Sequence, residues 1–262
     1  MIRNNMIACV LLLVADPAAR GEDRGQDNFY AIIFGEQDGR NRICEAHSFA
    51  TFVRVRLEAT GPEIVDRATI SWLPASGRVK LFKRAERGRN YTLEESFALV
   101  KPGHSVAQWG PFEIQEELFE RAKKQAAFLA SGGVLYKAMD PFSRPAGLAI
   151  NCEHAISDIG LRLGESIVRT GTAHGHHGSY LVATHLRSWM IEPGVAHDWV
   201  GRSLKLDQYA IAKGGWDYQG PGRMEPPSIA VASGAAEQKT DRTAEQKTEK
   251  KAESTEVAGG AR

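Results

Sequence analysis

The residues of this chain whose types and spacing support chemistry are Asn151-Cys152-Glu153-His154 and, far upstream, His47. Asn151 is of the type that caps a helix N-terminus, and from Cys152 the spacing turns helical. Cys152, Ile156, Ile159 and Leu163 then fall on one face, which points the thiol towards the core. A thiol at that place meets unpaired backbone N–H groups and the positive end of the helix dipole, which favour thiolate and hence a nucleophile. The same N–H groups, that of Cys152 among them, suit the oxyanion formed when a carbonyl is attacked. A general base is the remaining requirement.

His47 meets it. Along 47–57 the odd positions are His47, Phe49, Thr51, Val53, Val55 and Leu57, and the even ones include Ser48, Arg54 and Arg56. Alternation with period two predicts a strand that turns His47 to the face buried by Phe49 and Val53. A further strand is predicted over 68–73, with Thr69 and Ser71 on one face. Ser71 is the residue expected to orient the imidazole, so the expected site is Cys152, His47 and Ser71.

The run Asn151-Cys152-Glu153-His154 resembles the Asn-Cys-Glu-His signature of the lecithin retinol acyltransferase-like branch of the NlpC/P60 superfamily. These are papain-like cysteine enzymes of permuted order, with the catalytic His on a strand well before the nucleophilic Cys. The resemblance implies a permuted papain-like fold and attack on an amide, thioester or ester carbonyl through an acyl-enzyme. It also implies peptide or lipid-like acyl substrates. Ala155 stands where the family carries an aromatic or branched residue, and the next strand lacks the branch's second His. The alternative is a non-catalytic envelope or secreted binding domain in which Cys152 is a buried thiol or is bridged to Cys44.

Other histidines are weaker candidates. His154, with Asp158 at i+4, is expected to form a surface His–Asp pair. His174-Gly175-His176-His177 lacks the helical spacing of a metalloprotease and reads as a solvated loop, so no metal is expected. Trp109-Gly110-Pro111-Phe112 suggests an aromatic wall to a substrate, or a staple in which Phe112 packs on the helix that follows. No phosphate-binding loop, dinucleotide turn or serine elbow is present, and no cofactor is expected.

The elements that must position these residues are read from periodicity and punctuation. A strand is expected over 28–34, ending at Gly35. A helix capped by Thr92 with Glu95 stops before Pro102. A second helix spans 114–131, with Ile114, Leu118, Ala122, Ala126 and Leu129 as its stripe and Gly132-Gly133 as its end. Strands are expected over 134–139, 179–186 and 206–212, with a loop over 141–145 and a helix from Asn151. The sum is an α+β domain over residues 28–218, an antiparallel sheet packed by a few helices.

Neither end belongs to that domain. Residues 1–19 read as a signal peptide: Arg3, an apolar run from Met6 to Ala15, then Pro17-Ala18-Ala19. That run is too short for a bilayer-spanning helix, so export to the periplasm or beyond is expected, with no transmembrane span after cleavage. Residues 220–262 are rich in Ala, Glu, Lys, Gln and Thr and repeat Ala-Glu-Gln-Lys-Thr at 236–240 and 244–248. With so few large apolar residues this tail is expected to be disordered. The formal net charge is +1, and the tail from Ser233 holds six basic and six acidic residues, so nucleic acid is not an expected partner. The expected partner is a small-molecule, peptide or lipid-like acyl substrate.

Overall fold

The computed structural model describes residues 27–82, 84–139, 149–161, 173–220 and 224. The expected signal peptide, most of the expected tail, the 141–145 loop and Leu163 lie outside the described residues. The fold is mixed α+β, with sheets rich in antiparallel pairs and few helices.

The main sheet has the order β3-β2-β1-β6-β9. Strands β1 (Asp27–Gln37), β2 (His47–Glu58) and β3 (Gly61–Ile70) form a meander. Strand β6 (Ser105–Ile114) lies antiparallel on the other side of β1, and β9 (Ile211–Lys213) runs parallel to β6. A smaller sheet has the order β4-β5-β7-β8, from Trp72–Pro74, Glu86–Asn90, Leu135–Tyr136 and Ala149–Ile150.

Strands β1 and β2 are covered on both faces, which is why their interiors are apolar at almost every position. Ala31, Ile33, Ala50 and Phe52 join the main core, while Ile32, Phe34 and Phe49 pack in a second cluster with Leu93 and Phe97. Helix α1 (Leu93–Ala98) bears the expected capping box of Thr92 and Glu95 and carries that second cluster. Helix α2 (Glu116–Ala130) buries Leu118, Phe119, Ala122 and Leu129 against the main core. Each Leu or Phe so buried stabilises the fold by about 1.5–3 kcal/mol. Helix α3 (Cys152–Ser157) is followed by one 3-10 turn, and α4 (Gly175–Leu186) and α5 (Asp198–Ser203) are the remaining α-helices among the described residues.

Three expectations are corrected here. Residues 179–186 are helical rather than extended, being the body of α4. The segment 206–212 divides into a 3-10 turn at Leu206–Gln208 and the short β9. Trp109 and Phe112 belong to β6 and are buried in the main core, so they form neither a loop wall nor a cap preceding α2. Gly110 has φ +93, and the β1–β6 register shifts between Ala31 and Ile33, so the strand continues past Pro111 through an irregularity.

Candidate functional site

His47 opens β2 and is buried, with its ring stacked on Phe49 two residues on, as period two requires. Its Nε2 lies 2.9 Å from Ser71 Oγ. Ser71 sits where the chain leaves β3 for β4, and the Asn90 side chain pins it there. Asn90 Oδ1 accepts from the Ser71 N–H at 2.8 Å, and Asn90 Nδ2 donates to the Thr69 carbonyl at 2.8 Å. Thr69 itself bonds Thr51, which leaves Ser71 as the hydroxyl that meets the imidazole. The other ring nitrogen, Nδ1, is buried without a hydrogen-bond partner.

Cys152 opens α3, capped by Asn151, whose Oδ1 accepts from the His154 N–H at 2.8 Å. The thiol is free and buried, at 8% exposure, and Cys44 is free as well, so no bridge joins the two. Helix α3 has only six residues, and the helix-dipole argument is correspondingly weak. Burial, helped by the neighbouring Glu153 carboxylate, pushes the thiol up to about 12. Backbone hydrogen bonds from Ser48, Glu153 and Cys152 pull the other way without prevailing. Burial likewise drives His47 down to about 3. The resting pair is therefore neutral thiol and neutral imidazole, where the sequence suggests a ready thiolate.

The structure brings both groups to one cavity of about 30 Å³, lined also by Ser48, Tyr136, Asn151 and Glu153. A cavity of that size is room for about one water molecule. The two are not hydrogen-bonded to each other, since Nδ1 has no partner. His47, Ala46 and Val79 also line a larger cleft of about 550 Å³, shared with Glu36, Arg78, Lys101 and His104. There, His104 Nδ1 lies 2.7 Å from Glu36 Oε1, a carboxyl that burial raises.

The remaining histidines are placed differently from expectation. His154 does meet Asp158, at 3.1 Å, but the imidazole is buried at 2% exposure, so the pair is not a surface one. The 174–177 segment is no solvated loop: His174 caps α4 and its Nε2 donates to the Asn41 carbonyl at 2.9 Å. His176 is fully buried within α4, and its Nδ1 accepts from the Met224 N–H at 3.0 Å. Among the described residues, no group of three or more His, Cys, Asp or Glu side chains is disposed to hold a metal ion. Nor is any helix among them long and apolar enough to cross a membrane.

Sequence reasoning misses three contributors. Asn90 carries no motif, Ser48 acts through its backbone, and Glu153 reveals its influence on the thiol only once burial is known. No family model, no curated protein and no solved structure matches the chain.

Proposed function

We propose that this chain is an exported cysteine hydrolase or acyltransferase with a permuted papain-like arrangement. One observation carries the reading: a free buried thiol and an imidazole with one nitrogen fixed and the other unpartnered line the same cavity. The order of the two, His on a strand and Cys later on a helix, agrees with the resemblance noted for Asn151-Cys152-Glu153-His154.

In the proposed reaction the Cys152 proton passes to His47 Nδ1, directly or through one water, as sulfur bonds to the carbonyl carbon. Ser71 holds the ring from the opposite side. The developing oxyanion is met by backbone N–H groups about Cys152. His47 returns the proton to the leaving alcohol, thiol or amine, and the thioester then passes its acyl group to water or to a second acceptor. The adjoining cleft has the volume for a peptide or acyl chain. Both groups are neutral at rest, so the ion pair forms only as substrate arrives.

The second reading has an observation of its own. A thiol pushed up to about 12 beside an imidazole driven down to about 3 is also what an inert structural cysteine looks like. Acylation separates the two readings better than alkylation at rest. The protein is incubated with p-nitrophenyl esters at pH 7.5, quenched in acid, and read by intact mass and peptide mapping. The enzyme reading expects an acyl adduct on Cys152, none in C152S, and formation slowed on the order of a hundredfold or more in H47A. An adduct confined to Cys44, or one on Cys152 that H47A leaves unchanged, would establish the structural reading.

A further inference from the structure

The hairpin between β4 and β5 departs from the even charge of the rest of the chain. Residues 77–89 hold six basic residues against one acidic one, in a protein whose formal net charge is +1. Exposure alternates along the loop. Val79 and Leu81 turn inward and line the cavity of Cys152, and Val79 packs against the main core. Arg78, Lys80 and Phe82 turn outward. Phe82 is 92% exposed, an aromatic ring held in water on the side where the pattern puts cations.

The patch continues across the small sheet. Arg84 and Arg87 are exposed, and Arg87 pairs in register with Leu135, whose side chain is 40% exposed. Directly paired residues project to the same side of a sheet, so a second exposed apolar group stands beside a second cation. Arg89 is engaged by Glu95 and stacks on Tyr91. Among the described residues, no carboxylate pairs with Arg78, Lys80, Arg84 or Arg87.

We propose that this hairpin docks the domain on an anionic lipid surface, with Phe82 entering the headgroup boundary and Arg78, Lys80, Arg84 and Arg87 meeting lipid phosphates. Charge complementarity selects the surface, and the exposed ring and Leu135 select lipid over a soluble polyanion, which offers them no apolar phase. Gly77, Arg78, Val79 and Lys80 also wall the larger cleft, so docking brings that cleft to the membrane. The inference does not depend on the catalytic reading.

The test is co-sedimentation of the full chain with vesicles of phosphatidylcholine, alone or mixed equally with phosphatidylglycerol. Binding to the mixed vesicles at least about tenfold tighter is expected, falling as salt rises. F82A weakens it roughly tenfold, from the lost burial of one ring. R78E/K80E weakens it by at least about 25-fold, at on the order of fivefold for each basic residue lost. C152A binds like the wild type whether or not the thiol is catalytic. All three substituted positions outside the thiol are exposed loop residues, and matching melting curves confirm that the variants fold. Equal binding to both vesicles overturns the proposal. So does binding that heparin reproduces and F82A leaves intact, which would mark a soluble polyanion as the partner.

Discussion

At the scale of single residues, the pair that carries the proposed chemistry also sets how stability responds to pH. His47 is held neutral in the folded protein, its value driven to about 3 by burial, whereas an unfolded histidine titrates near its ordinary value of 6.5. Between those limits the unfolded chain binds the extra proton, so stability is full above about 6.5 and falls as pH drops towards 3. At pH 5 the loss is about 2 kcal/mol. Cys152 acts at the other end, since its raised value, about 12 against 9, means stability is full below 9 and is lost as pH rises through that window. Urea unfolding of wild type and H47Q at pH 7 and pH 5 checks the acid limb. The wild type should lose about 2 kcal/mol more than the variant, and parallel losses would show that the imidazole is not held neutral. His47 is legible in the sequence because period two fixes which face a strand residue takes, whereas Ser71, expected inside a strand over 68–73, lies between β3 and β4. The ionisation of the pair is not legible, because it depends on burial by residues remote in the chain.

At the scale of elements, the informative disagreement is α4. Tyr180, Leu181, Val182 and Ala183 form a short apolar run that periodicity alone cannot assign to strand or helix. The glycines before it suggest a loop, yet they are what lets the helix seat on the sheet. Ser179 Oγ donates to the Phe34 carbonyl at 2.8 Å and lies 2.7 Å from Ser48 Oγ, so α4 rests on β1 and β2 beside the thiol. Gly35 is required by that approach. A Cβ there would lie 2.7 Å from Ser179 Oγ and 2.8 Å from the Gly175 carbonyl oxygen, and the second is backbone that moves only with the helix. We expect G35A to destabilise by about 1–3 kcal/mol, the usual cost of overpacking. G133A, where the nearest atom lies at 3.4 Å, should stay within about 0.5 kcal/mol of wild type. Denaturant melts of the two variants decide it. If G35A proves neutral, the close seating of α4 on β1 is wrong. Where an element's signal is local, as in the Thr92 capping box, the Leu118, Ala122 and Leu129 stripe of α2 or the Asn151 cap, sequence and structure agree, although Ile114, expected to open that stripe, ends β6 instead.

At the scale of the whole molecule, what the sequence conceals is which strands lie side by side. The meander of β1, β2 and β3 follows chain order, but β6 joins β1 from a distance and β9 joins β6 in parallel. Such pairings rest on complementarity between remote segments, and Gly110-Pro111 inside β6 reads locally as a break. The far end of the fold is concealed in the same way. Composition changes at Gly220, yet Met224 still packs against the main core and donates its N–H to buried His176. Described structure therefore reaches Met224, past the change in composition. Two truncations follow from this. Ending the chain after Pro227 should leave the melting temperature within about 2 °C, because a segment so poor in apolar residues has little to bury. Ending it after Gly220 removes the Met224 contact and its hydrogen bond to His176, and should cost about 1–3 kcal/mol. Thermal melts of the two truncated chains against the full one check both. Equal melting of all three would place the structural boundary at the change in composition, and equal loss in both would show that residues beyond Pro227 support the fold.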